Sequence, residues 1–198
     1  MSFNKVVLAV VLCATVAAGA VRHLHLSDKY MVNVDIIENS TKIELELIVT
    51  TTGYVGFGIG PNATMTGADL FIGGVNGTET APIIYGDDYH GIGNQMPVLD
   101  TINQAWNVTS GSQANGTTTL KITRSLDTGD NTEDIKIENN ANMFVLWSIG
   151  ASDNLEHHSE KGSKQLNLFT ADDTNSSGVT AFSVSTLIMS LVAAFLRN

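Results

Sequence analysis

Between Tyr30 and Val49 apolar and polar residues alternate with a period of two, and this pattern constrains the fold more than any other feature of the chain. Tyr30, Val32, Val34 and Ile36 share one face, and Met31, Asn33 and Asp35 share the other. After the polar turn Glu38-Asn39-Ser40-Thr41, the run Lys42-Ile43-Glu44-Leu45-Glu46-Leu47 alternates again before Ile48 and Val49. Successive strand side chains point to opposite faces, so this reads as a hairpin with one buried and one wet face. Further strands are expected at residues 54–59, 70–73, 83–85, 106–109, 117–124, 143–149 and 165–169, each bounded by Gly, Asn, Asp or Ser. No segment shows a convincing helical period. The expected fold class is therefore all-β, a single antiparallel β-sandwich in which two sheets bury each other's apolar faces. Residues 130–142 are polar and expected as loop. Met143-Phe144-Val145-Leu146-Trp147 is continuously apolar, as a central strand covered on both faces would be, and Gly150 breaks it.

The two ends read as processing signals. Lys5, the apolar run 6–16 and Ala18-Gly19-Ala20 form a charged region, a hydrophobic region too short to span a bilayer and a small-residue cleavage site. Residues 1–20 are thus expected to be a secretory signal peptide, and 21–171 the sandwich domain. At the other end, Asn175-Ser176-Ser177-Gly178 leads into an apolar tail with only Arg197 and Asn198 after it, which makes 172–198 a lipid-anchor signal with Ser176 or Ser177 as attachment residue. A transmembrane helix is the alternative. Ser183, Ser185 and Ser190 dilute the run, and no basic cluster follows it. The expected location is the outer face of the plasma membrane, with the membrane as a partner through the anchor.

Cys13, the only cysteine, lies in the signal, so the mature domain has no disulfide, thiolate metal site or covalent haem site. Removing Lys5 and Arg197 leaves eight basic residues against twenty acidic ones, a net charge of −12 that argues against nucleic acid as a partner. Six N-x-S/T sequons, at Asn39, Asn62, Asn76, Asn107, Asn115 and Asn175, fall between apolar runs and suit a secreted glycoprotein.

Two polar stretches draw attention to possible chemistry. Met65 lies in Pro61-Asn62-Ala63-Thr64-Met65-Thr66-Gly67-Ala68-Asp69, and His157 and His158 lie in Asp153-Asn154-Leu155-Glu156-His157-His158-Ser159-Glu160-Lys161-Gly162. A thioether and an imidazole are a pair that can hold a b-type haem from both sides. Taken singly, a methionine near a Gly-rich turn ordinarily fills a gap in a core, and adjacent histidines in an acidic loop are ordinarily solvated.

Gly53-Tyr54-Val55-Gly56-Phe57-Gly58-Ile59, Met65-Thr66-Gly67-Ala68-Asp69, Phe144-Val145-Leu146-Trp147-Ser148-Ile149-Gly150 and His158-Ser159-Glu160-Lys161-Gly162 with Leu166-Asn167-Leu168, in this order and spacing, resemble the DOMON domain from about His25 to Phe169. That resemblance implies an immunoglobulin-like sandwich and, in cytochrome members, haem b held non-covalently between a methionine and a histidine. Met65 falls on the methionine. His158 matches the histidine by its distance to Gly162, with His157 close behind. The function implied is an extracellular b-type cytochrome that relays single electrons, without stand-alone enzyme activity. Its partners would be a small-molecule reductant or membrane reductase as donor and an external acceptor. Other family members lack haem, so the alternative is a glycan- or protein-binding adhesion module; Trp106, Trp147 and Tyr89 form no evident aromatic stripe for it.

The remaining constellations are weaker. Asp69 and Lys161 are expected to orient loops or form surface salt bridges. Asp87-Asp88-Tyr89-His90 reads as a solvated acidic turn rather than a site for a hard metal. His23-Leu24-His25 has the spacing of a copper site near a new N-terminus, but a frayed end is the simpler expectation. No nucleophile–base pair or phosphate-cradling loop is present, which places a hydrolase far behind.

Overall fold

The computed structural model describes residues 21–171; the expected signal peptide and lipid-anchor tail lie outside the described residues. Eleven strands follow one another: β1 (Arg22–Ser27), β2 (Tyr30–Ile37), β3 (Lys42–Val49), β4 (Val55–Gly60), β5 (Asp69–Thr78), β6 (Ala81–His90), β7 (Val98–Leu99), β8 (Asn107–Ala114), β9 (Thr117–Ser125), β10 (Met143–Ile149) and β11 (Glu160–Leu166). They form two antiparallel sheets, β1-β2-β3-β9-β8 and β11-β10-β4-β5-β6-β7.

The alternation in the N-terminal hairpin sets the first sheet. Ile43, Leu45, Leu47 and Val49 of β3 are fully buried, opposite Val34 and Val32 of β2 on one side and Ile122 and Leu120 of β9 on the other. Val55, Phe57, Ile59, Phe71, Val145 and Ile149 line the facing side of the second sheet and close the core. Each fully buried aliphatic or Phe side chain contributes about 1.5–3 kcal/mol of transfer free energy, so this one contact layer dominates the stability of a domain without helices. Arg124 also occupies an inward position on β9 and is 1% exposed, an exception with a partner described below.

Several expectations differ from the structure in instructive ways. His23-Leu24-His25 is not a frayed end: it lies in β1, paired with β2, with Leu24 in the core and His23 Nδ1 at 2.7 Å from Asn33 Oδ1. A single inward leucine is too short a pattern to reveal a strand. The last strand runs over Glu160–Leu166 rather than 165–169, because its register is imposed by β10, from Met143 opposite Leu166 to Ile149 opposite Glu160. Its own residues are largely polar, as edge strands often are. Asp87-Asp88-Tyr89-His90 is not a turn either. It ends β6, paired across to Asp69–Ile72, and Asp88 is completely buried.

Candidate functional site

The second sheet has an outer as well as an inner face, and the outer face is where the site forms. In the Gly56-Phe57-Gly58-Ile59-Gly60 run of β4, Phe57 and Ile59 enter the core, which leaves the glycines on the opposite face. Gly58 pairs with Leu70 on one side and Leu146 on the other; Gly56 pairs with Ile72 and Ser148. A Cβ on Gly58 would stand 2.5 Å from Leu70 Cδ2, and one on Gly56 would strike the Ser148 hydroxyl. The glycines thus let neighbouring side chains settle over a trough without filling it.

Over this trough lies a cavity of about 260 Å³ with walls from Leu70, Ile72, Leu146, Met65, His158 and Lys161 among others. Ala68, Leu70 and Leu146 are buried as a small apolar cluster of their own, and Met65, Tyr89 and Phe144 pack against it. Among the described residues Lys161 is the only charged side chain in the lining.

Met65 is carried by the turn between β4 and β5, which is fastened to the end of β6. Gly91 N donates to Ala68 O at 2.8 Å, Gly67 N donates to Gly91 O at 2.7 Å, and Ala68 N donates to Met65 O at 3.0 Å. Gly91 admits this approach because any Cβ there would run into the Met65 carbonyl. On the far side, His158 precedes β11 in a segment held by the β10 end. Ser159 N and Ser159 Oγ both donate to Ile149 O, at 2.8 and 2.9 Å, and Tyr54 Oη donates to Glu156 O at 2.9 Å.

The two histidines are not equivalent. His158 is half-buried and lines the cavity, whereas His157 is exposed, lies with its ring tilted 51° to that of His158 at 4.4 Å centroid distance and donates from Nδ1 to His158 O at 2.9 Å. Burial, then the Lys161 charge, lowers the His158 pKa below its ordinary 6.5. The imidazole is therefore neutral at neutral pH, the form that coordinates metal. Asn94 and the strand neighbours of the glycines complete a wall that sequence reading did not single out. Gly91 was also missed; nothing in the local sequence reveals that a turn twenty-odd residues earlier leans on it.

Asp69 and Lys161 lie in unlike surroundings. Lys161 is exposed at the mouth of the cavity. Asp69 is buried under the sheet, where Oδ1 accepts from Trp106 Nε1 at 2.7 Å and Oδ2 accepts from Ile135 N at 3.0 Å and from the Arg124 guanidinium. Arg124 also stands 5.1 Å from the Trp106 ring centre and donates to Ile135 O at 2.7 Å. This network braces the first residue of β5 directly behind the Met65 turn.

The DOMON domain family matches residues 26–150. MOXD1 homolog 2 of Drosophila melanogaster is 33% identical over 132 residues, covering 66% of this chain and 16% of that protein. Human DBH-like monooxygenase protein 1 is 29% identical over 143 residues, covering 70% and 22%. The chain thus spans about a fifth or less of the length of these curated relatives. Among solved structures, the cytochrome b domain of pyranose dehydrogenase from Coprinopsis cinerea superposes with a TM-score of 0.59 at 14% identity, over 77% of this chain and 84% of that one. The cytochrome domain of Myriococcum thermophilum cellobiose dehydrogenase gives 0.56 at 14% identity, over 77% and 85%. At such identity the likeness is one of fold.

Proposed function

This chain belongs to the DOMON family, and on that premise we propose that it is a b-type cytochrome domain whose haem is held non-covalently between Met65 and His158. The observation that carries this reading is that two segments far apart in sequence bring a thioether and a neutral imidazole to the wall of the same apolar cavity. The residues fit the group. Glycines at 56 and 58 keep the floor low, Leu70, Ile72 and Leu146 give apolar walls, and Lys161 supplies a cation at the mouth for the acidic edge of a porphyrin.

A bound haem supplies a reversible one-electron couple, and a thioether ligand raises its potential relative to two histidines. Met65 and His158 orient the group from opposite segments, and the apolar walls exclude water. If Met65 and His158 both hold the group, neither side would be left to oxygen or substrate, and on this reading the domain would be a carrier rather than an enzyme. The monooxygenase names of the relatives belong to proteins of which this chain matches only a small part. The electron donor in this reading is a small-molecule reductant or a membrane reductase, the acceptor is external, and the domain works at the cell surface behind a lipid anchor.

The haem-free adhesion reading finds less support. Trp106 is 2% exposed and committed to Asp69, so it is unavailable as a stacking platform alongside Trp147 and Tyr89.

The test is an optical spectrum of the purified domain, oxidised and reduced. A red protein with sharp ferrous bands is expected, and loss of those bands in Met65→Ala and in His158→Ala with the β-rich circular dichroism retained. A wild-type protein that stays colourless after incubation with haem would sink the proposal.

A further inference from the structure

The inner side of the β5–β6 hairpin holds an acidic cluster that haem binding does not use. Asp69, Asp88 and Asp134 each present a carboxylate oxygen within 4.8 Å of the others. Asp69 and Asp88 are 0% exposed and Asp134 9%. Their surroundings leave a deficit of positive charge. Arg124 is spent on Asp69, Ser125 O and Ile135 O. Asp88 Oδ2 accepts from Ala105 N at 2.8 Å and from Trp106 N at 3.2 Å. Asp88 Oδ1 and both oxygens of Asp134 have no hydrogen-bond partner among the described residues, although all three are buried.

A buried carboxylate oxygen without a donor is strongly destabilising unless a proton or a cation meets it. One oxygen from each of three buried carboxylates converges here, and two of the three residues carry oxygens without a donor, which is a ligand arrangement rather than packing; an all-oxygen set selects hard cations over zinc or copper. The adjacent group of His90, Asp100 and Glu133 is different. His90 Nδ1 sits 2.6 Å from Asp100 Oδ1, and Glu133 Oε2 accepts from Thr101 N and Ile102 N at 3.0 and 3.1 Å. Asp100 Oδ2 is the one oxygen there without a partner among the described residues, and the group's paired atoms hold in place the loop that delivers Asp134.

We propose that Asp69, Asp88 and Asp134 bind a hard divalent cation of the calcium class, which clamps the loop at Asp134 to the β5–β6 hairpin behind the Met65 turn. The site is independent of the haem: it lies on the inner face of the sheet, whereas the cavity lies on the outer.

Trp106 stands against the cluster and makes a direct readout possible. Terbium titrated into the haem-free full chain should show emission sensitised by indole excitation, displaced by Ca2+, and Ca2+ on the order of 1 mM, the range of extracellular calcium modules, should raise the melting temperature above that in EDTA. Asp88→Asn and Asp134→Asn should each weaken Ca2+ by at least about tenfold. Asp134 lies in a loop, so its variant reports even if the strand variant fails to fold. Absence of both sensitised emission and a Ca2+-dependent melting shift in the wild type overturns the proposal, because the cluster is then held by protons alone. An undiminished response in Asp134→Asn overturns it equally, since the cation would lie elsewhere.

Discussion

Asp69 shows how much one side chain can determine. Among the described residues its carboxylate is the sole acidic partner of a fully buried Arg124, and the pair joins β5 to β9 across the core. Removing one member of a buried ion pair strands the other without compensation, at a cost of about 3–5 kcal/mol. Asp69→Asn should therefore destabilise the domain by about that amount in guanidinium denaturation, far more than loss of an exposed pair such as Lys136–Asp127. At the cavity, Met65→His should keep a haem-bound protein but lower its midpoint potential, measured by spectroelectrochemistry, because the thioether that favours the reduced state is gone. An unchanged potential would mean that Met65 is not a ligand.

At the scale of elements, the site depends on β4 being a strand with two unlike faces. Gly58→Val places a branched side chain into the trough between Leu70 and Leu146, while Phe57 and Ile59 continue to fill the core. The expected result is a folded domain that takes up haem at least about tenfold more weakly, read by haem titration, since core burial and not the outer face carries most of the folding energy. Gly91→Ala acts from a distance. It pushes the Met65 carbonyl off the end of β6, so it should alter the haem spectrum although residue 91 touches only the back of the turn. A spectrum identical to the wild type would show that the turn is not set by this contact. Gly56 and Gly58 were legible in sequence as a Gly-broken strand. The support from Gly91 was not, because it exists only where two non-adjacent segments meet.

For the whole molecule the buried titratable groups lead us to expect a stability that depends on pH. Burial first, and then the neighbouring charges of Asp69 and Asp100, raise Asp88 to about 8 from an ordinary 3.8. Burial also raises Asp100 to about 6, against the opposing pull of His90. A carboxyl whose pKa is raised by folding binds its proton more tightly in the native state, so its contribution is full below about pH 4 and is lost as pH rises through the folded value. His158 runs the other way: its lowered pKa gives stability above 6.5 that is lost as pH falls through the folded value. In EDTA, denaturation midpoints should fall from pH 5 to pH 8, and Asp88→Asn, which mimics the protonated carboxyl, should flatten that decline. A wild-type profile that rises across the same window would refute the assignment.

What the sequence determined by itself is the part governed by local periodicity. The alternation of Tyr30–Ile37 and Lys42–Val49, the turn residues between short apolar runs and the glycines of β4 specify a two-sheet sandwich, because side-chain direction in a strand follows from backbone geometry alone. The motif order also led to the family and to Met65 and His158 as residues to examine. Tertiary structure decided everything that depends on which segments meet. It made β11 a strand through the register of β10, turned Asp88 from a surface acid into a buried one, gave Asp69 an arginine partner, and placed His158 rather than His157 at the cavity wall. Burial and charge pairing are properties of neighbourhoods, and a neighbourhood assembled from β5, β6, β9 and a distant loop has no signature in any one stretch of the chain.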